Sequence, residues 1–403
     1  MFSRLTRRGF LAAGAVAARA ETPQKKKTVA AIITEYRYLS HADVICGRFL
    51  DGYSPDNVRV EPRSQIVSMY TDQIAKKDMS RDLAQKHGFP IYPTIAEALC
   101  MGGSKLAVDA VLLVGEHGNY PTNEKGQKMY PRFDLYQRII DVFKTSKRVV
   151  PVFSDKHLSY SWDRAHLMYK QSRQMGFPLM AGSSIPVTVR VPEVELPIDC
   201  QIDSALVVGF GDLDAYGFHT LECLQCMVER RAGGEKGVDS VEWIEGDAVW
   251  RWRDSEQGRW SIPLLEAALS RSEKVKPGRP EENAKRPVAF LVQYRDGLQA
   301  VAYMLNGHAA NWAFAANLKG KPGVQACRFG SSKIRGLAHF DGLVHCIEEM
   351  FITGKPLYPV ERTLLTTGTL AFLFDSRMAK KRLMTPQLSI AYRAPQHAYF
   401  QKA

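Results

Sequence analysis

The chain has 403 residues, 45% of them hydrophobic and 24% charged, enough for two domains at the usual ~100–200 residues each. That apolar content excludes a disordered chain, and no apolar run reaches the roughly 18 residues of a membrane span. Half of the net charge of +12 comes from residues 1–27, and the rest is spread without basic blocks between aromatics, so nucleic acid is not an expected partner.

The chain starts with an address. Thr6-Arg7-Arg8-Gly9-Phe10-Leu11 is followed by a short, weakly apolar stretch and by Ala18-Arg19-Ala20. This is the pattern of a twin-arginine signal with an A-x-A cut site, too short to anchor in a bilayer. The expectation is removal after Ala20, a basic linker over 21–27, and a periplasmic or secreted protein exported already folded, with any cofactor loaded beforehand.

From residue 28 the pattern alternates. Strands are expected over 28–34, 65–70, 110–114, 149–153 and 178–181, each short and rich in apolar or β-branched residues. Helices are expected over 41–50, 72–87, 133–144 and 162–175, two of them stopped by Gly88 and Gly176. Strands without polar alternation, separated by helices, imply parallel β-α-β units, so residues 28–185 read as a Rossmann-like, doubly wound α/β domain.

Beyond the proline-rich joint at 186–197 the rhythm changes. A helix over 213–231 precedes strand-like segments at 238–252, 287–295, 298–305 and 311–316, with Asp296-Gly297 and Asn306-Gly307 as hairpin signals. Residues 271–286 read as an exposed loop, and helices over 342–352 and 361–379 close the chain. Residues 186–403 are thus expected to form an α+β domain with an antiparallel sheet covered by helices on one side. The odd count of seven cysteines does not suggest a disulfide scaffold. Cys223 and Cys226 have redox or metal spacing, but they fall on a stretch that reads as buried helix.

Ligands of open α/β sheets bind beyond the carboxyl ends of the strands. Those ends here carry Glu35, Tyr36, Arg37 and His41; Glu116 and His117; Asp155, Lys156 and His157; and Ser183. Acids, histidines and a lysine converging on one rim make a site, because like carboxylates raise one another's pKa unless a cation or metal offsets them. Residues 118–132 are long and polar for a β-α loop and read as a lid.

Several stretches resemble the Gfo/Idh/MocA family of glucose-fructose oxidoreductase and inositol dehydrogenase. Residues 84–92 with 95–99 are similar to its second crossover. Residues 147–159 are similar to its stretch around Glu-Lys-Pro, with Asp155 for Glu and His157 for Pro. Residues 211–222 are similar to its D-x-G-x-H-x-x-D helix start. The resemblance implies that Lys156 orients or polarises a reacting hydroxyl of a sugar or polyol, that His219 is the general base with Asp214 beside it, and that NAD(P) is the cofactor. It also implies a dimer or tetramer through the second domain's sheet. Two departures stand out. Asp214 lies five residues before His219 where the family has four, about 100 degrees of helix away, so Tyr216 is expected to stand in for it. The first turn, Thr34 to Ser40, has no glycine where a dinucleotide fold needs close backbone approach to pyrophosphate. Any NAD(P) on Glu35, Tyr36, Arg37, Glu116, His117, Asp155 and Ser183 would sit in an altered pose.

Three readings follow. The first is an exported, oxidoreductase-like enzyme acting on a sugar or polyol hydroxyl. The second is a nucleotide-independent lyase or hydrolase, in which Glu35, Glu116, His117, Asp155 and His157 hold a divalent metal. The third is a non-catalytic sugar binder that stacks its ligand on Trp243, Trp250, Trp252 and Trp260.

Overall fold

The computed structural model describes residues 25–330 and 337–402; the twin-arginine motif and the Ala20 cut site lie outside them. Five parallel strands, β1 (Lys27–Ile33), β2 (Ser64–Thr71), β3 (Ala110–Val114), β4 (Val152–Asp155) and β5 (Leu179–Gly182), form one sheet in the order β2-β1-β3-β4-β5. Helices α1 (His41–Asp51), α2 (Ser80–His87), α3 (Ile95–Cys100), α4 (Arg132–Ser146) and α5 (Trp162–Met175) connect them. Every residue of β3 is fully buried, as a central strand with helices on both faces requires. The expected Rossmann-like half is present.

The helix expected over 72–87 is shorter. Residues 72–79 form a loop because their amides are used elsewhere: Asp72, Gln73 and Met79 donate to the carbonyls of Ile33, Thr34 and Tyr36. This ties the loop after β2 to the turn after β1.

The second half contains β6 (Val189–Val191), β7 (Ile202–Gly209), α6 (Ala215–Val228), β8 (Val238–Glu245), α7 (Asp247–Asp254), α8 (Ser261–Arg271), α9 (Pro280–Asn283), β9 (Val288–Tyr294), β10 (Gln299–Met304), β11 (Trp312–Leu318), β12 (Gln325–Gly330), α10 (His339–Thr353), α11 (Val360–Ala379) and β13 (Leu383–Met384). Its sheet runs β13-β8-β9-β10-β7-β11-β12-β6 and is antiparallel except where β7 and β10 pair in parallel.

Three expectations fail here. The segment 238–252 is not one strand: Gly246 turns the chain at φ +64°, and Asp247 opens α7 with Trp250 and Trp252 on a helix. Asp296-Gly297 does join the β9–β10 hairpin, but Asn306-Gly307 does not make a second one, since β7 lies between β10 and β11. Nor are the helices on one side. Phe218 of α6 and Leu370 of α11 pack on Val207 and Phe290, while Val249 of α7 and Leu264 of α8 pack on Leu206 and Val301 of the opposite face. Subunit pairing through that face, as the resemblance implies, would have to displace α7 and α8.

The two halves share cores. Leu343 and Ile347 of α10 pack with Val29 and Ala31 of β1, and Leu364 of α11 joins the core on the other face of the first sheet. Cys223 and Cys226 are free thiols buried on α6, and burial raises both above the usual thiol range. Among the described residues no helix is long and apolar enough to cross a membrane.

Candidate active site

β4 ends by carrying its last residues into the crevice between the halves. Lys156 follows the strand with φ +67° and His117 follows β3 with φ +73°, left-handed conformations that a side chain normally avoids. Such strain, at about 1–3 kcal/mol each, persists where the surroundings over-determine it and clusters at working sites. Gly182, at the end of β5 with φ +126°, has no such alternative: a Cβ there would stand 2.7 Å from Glu222 Oε2 and 2.8 Å from Thr363 Oγ1.

This arrangement brings Lys156 Nζ to 2.6 Å from Nε2 of His219, on the first turns of α6. Both residues are buried. Burial, reinforced by the Lys156 charge, holds His219 far below the usual imidazole range, so the ring is neutral. A lysine ammonium only donates, so Nε2 accepts from Lys156 and the ring proton sits on Nδ1, 2.5 Å from Ser183 Oγ. Ser183 Oγ also accepts from the Ile185 amide, and the Ser183 amide donates to Glu222. Glu222, one turn on from His219, takes a second bond from Thr366, and burial raises its pKa.

On the other side of Lys156 lies Glu116, its Oε1 3.7 Å from Nζ and its Oε2 paired with Arg132. Burial alone would raise this carboxyl; the two cations overcome it and hold Glu116 ionised far below its usual range. Arg132 is fully buried at the start of α4 and also meets His157 Nε2 at 3.3 Å. The set Arg132, Glu116, Lys156, His219 and Ser183 is one continuous polar chain.

The chain opens on a cavity of about 590 Å³ between the halves, lined at one end by His41, His117 and His339 and at the other by Phe210, Tyr216 and Trp312, within the ~300–1,000 Å³ usual for small-molecule sites. Tyr216 stacks on Trp312 at 5.6 Å, and its ring meets His219 at 5.7 Å. Asp214 turns away: its Oδ2 accepts the Lys128 amide at 2.9 Å, while Oδ1 is buried without a partner. Burial raises its pKa to about 6 against the opposing Lys128 amide bond. The residue beside His219 is therefore Tyr216, through its ring. The loop over 118–132 is docked on the second half by that bond and by the Lys125–Asp375 ion pair.

The turn after β1 tests whether a dinucleotide fits in the fold's usual seat. At the N-terminus of α1 the Asp43 and Arg37 amides donate to Ser40 Oγ, the Leu39 amide to Asp43, and the His41 amide to His117 Nδ1 at 3.3 Å. These are the kind of donors that pyrophosphate would need, and the chain has already used them. Burial, aided by neighbouring His41, lowers His117 to about 4, which keeps its ring a neutral acceptor. Glu35 is paired with Arg37, and Tyr36 is fully buried. Asp72, beyond β2 where a ribose would be held, accepts from Tyr70 and Tyr120, one hydroxyl on each oxygen. The residues present do not fit a dinucleotide in that pose.

Nor do the proposed metal ligands gather. Glu35, Glu116 and Asp155 are each committed to a cation or imidazole, Asp155 to His41 at 2.6 Å, and among the described residues no group of three or more His, Cys, Asp or Glu is placed to hold a metal. The tryptophans offered for sugar stacking are elsewhere: Trp243 is core, and Trp252 and Trp260 line a separate surface pocket. Trp312, inside the expected strand at 311–316, is the tryptophan that lines the cavity, and no motif in the sequence marks it; His41 lines it too, and the sequence marks it only as a strand-end neighbour. Arg132 and Ser183's bond to the imidazole had no local signal, since both depend on residues far along the chain.

No protein-family model matches this sequence, and no curated protein matches it. Solved structures do match in shape. GenD2 from gentamicin A biosynthesis, in complex with NAD, superposes with a TM-score of 0.56 at 12% identity over 91% of this chain and 98% of its own. Apo scyllo-inositol dehydrogenase from Lactobacillus casei gives 0.54 at 10% over 90% and 98%, and a myo-inositol dehydrogenase from Corynebacterium glutamicum gives 0.54 at 9% over 89% and 98%. The chain has the two-part fold of the Gfo/Idh/MocA-type dehydrogenases. At these identities the likeness defines architecture alone.

Proposed function

We propose that this chain is an exported enzyme acting at a hydroxyl-bearing carbon of a small sugar or polyol, oxidoreductase-like in its fold and in the Lys–His pair that handles the substrate's proton. The observation that carries the reading is the 2.6 Å contact between Lys156 and His219 in a closed polar chain at the wall of the cavity. An ammonium beside a neutral imidazole supplies an acid and a base together. A substrate oxygen that takes the Lys156 hydrogen frees Nε2 to accept a proton, while Ser183 keeps the ring's tautomer and Glu116 holds Lys156 in place. The stacked Tyr216 and Trp312 offer a flat apolar wall to the C–H face of a ring. Since the usual dinucleotide seat is filled, no step is routed through it.

The test is turnover of a panel of sugars and polyols by the wild type, Lys156→Ala and His219→Ala. Each substitution is expected to remove at least about 100-fold of kcat; full activity in either removes that residue from the mechanism. Export is checked by replacing Arg7 and Arg8 with lysine, which is expected to leave the protein in the cytoplasm.

A further inference from the structure

Two regions that the fold gives to a dinucleotide are built differently here, and both are filled by this chain. The amides before and at the start of α1 are satisfied by Ser40, Asp43 and His117. The carboxylate after β2 is satisfied by Tyr70 and Tyr120, and the Gln73 side chain exchanges two hydrogen bonds with the Asn119 backbone across the mouth between them. Thr34 Oγ1 donates to the Glu116 carbonyl at 2.7 Å, tying the turns after β1 and β3 together at the point where the strand order reverses. Opening that crevice would leave the buried Thr34 hydroxyl without its partner and break the part-buried bonds of Ser40, His117 and Tyr70 around it. The acid–base pair, by contrast, is complete and faces the cavity.

We propose that the Lys156–His219 centre works without a dinucleotide, as a redox-neutral enolising site for a sugar that carries a carbonyl group. The inference rests on the reading of that pair as the reacting centre. The carbonyl oxygen takes a hydrogen bond from the Lys156 ammonium, which polarises it and releases Nε2 of His219. The C–H bond on the next carbon then breaks. Its proton goes to Nε2, and its electron pair forms the carbon–carbon double bond of an enolate whose oxygen is held by Lys156. Return of the proton to carbon completes the cycle, so no oxidant or reductant enters. The acid and the base are 2.6 Å apart, and a carbonyl oxygen and the hydrogen on the adjacent carbon are spaced to bridge such a pair. The space beside His41, His117 and His339 then belongs to the rest of the sugar.

The experiment uses the full chain in D2O with a panel of aldoses, ketoses and keto sugars, no nucleotide added, and follows loss of the proton signal next to the carbonyl by NMR. In parallel, NAD+ and NADP+ are titrated calorimetrically to about 1 mM, the upper end of ordinary KM values. The expected result is exchange in the wild type, at least about 100-fold slower exchange in His219→Gln and Lys156→Ala, and no saturable heat from either nucleotide. Saturable binding of NAD+ or NADP+, exchange or turnover only when one is added, or no exchange across the panel by folded wild type would overturn the inference. If turnover proves nucleotide-dependent yet is lost in both variants, the proposed function survives and only the redox-neutral chemistry falls. Unchanged exchange in both variants sinks both readings.

Discussion

The two ends of the cavity have opposite characters. At the end formed by β4, β5 and α6, side chains far apart in sequence meet in a polar chain whose cavity-lining members, Lys156 and His219, are free to address a ligand. At the end formed by β1, β3 and α1, similar side chains address one another: Glu35 with Arg37, Asp155 with His41, His117 with the α1 amide. A shared fold therefore does not carry its chemistry uniformly. Each half-site has to be judged by where its donors and acceptors go.

The sharpest way to break this comparison is to ask whether Lys156 and His219 act as a unit. If they do, the double variant Lys156→Ala/His219→Ala loses no more kcat than the worse single one, within the ~10²–10⁴-fold range of a proton-transfer group. Multiplying losses would mean two independent roles. Next in size is Arg132→Met, which removes one of the two cations that hold the buried Glu116 carboxylate and leaves it Lys156 alone. Breaking a buried pair in this way costs about 3–5 kcal/mol, read as the shift in urea unfolding free energy. A loss below about 1 kcal/mol would show that the polar chain is looser than its geometry implies.

Asp214 gives a pH-dependent test of the same chain's boundary. Its folded pKa of about 6 lies above the ordinary carboxylate value, so the native state binds more protons between about 4 and 6 and is penalised as pH rises through that window. Asp214→Asn is therefore expected to stabilise the protein by about 1–3 kcal/mol at pH 8 and by progressively less below about pH 6. The histidines act oppositely. His117 at about 4 and His339 at about 3 are depressed by burial, so the unfolded chain binds more protons below about 6.5 and stability falls as the solution is acidified. Thermal melts of both proteins from pH 4 to 8 separate the two effects, and equal melting curves at pH 8 would contradict the buried, unpaired Oδ1.

What could be read beforehand follows from how local each signal is. The parallel sheet was legible because runs such as residues 110–114 have no polar alternation and helices end at Gly88 and Gly176. Lys156 and Glu116 were legible because strand ends are where side chains collect. β7 is not read from the sequence although Ile202–Gly209 is apolar, buried on most of its length and preceded by a turn at Pro197–Cys200; nothing local marks it as the strand between β10 and β11. The filled crevice was only half legible. The missing glycines showed in the sequence, but His117 taking the His41 amide is a contact across 76 residues, and no spacing rule reports it. Val238–Glu245 was overextended because tryptophans suit strands as well as helices, and only Gly246 at positive φ ends it.

The smallest expected effect belongs to the aromatic wall. Trp312 stacks with Tyr216, touches the Phe210 ring at 4.8 Å and donates Nε1–H to Thr220 at 3.1 Å, so it is held flat before any ligand arrives. A stacked aromatic contributes about 0.5–1.5 kcal/mol beyond its buried area, and nothing in its contacts moves a proton. Trp312→Leu keeps apolar bulk and loses the flat face. It should raise KM by a few-fold to about tenfold while leaving kcat nearly unchanged, the pattern of an interaction present equally in ground and transition states. A fall in kcat as large as that of His219→Ala would mean instead that Trp312 positions the imidazole, whose ring it meets edge-on at 5.6 Å, and the division of labour between the wall and the acid–base pair would have to be redrawn.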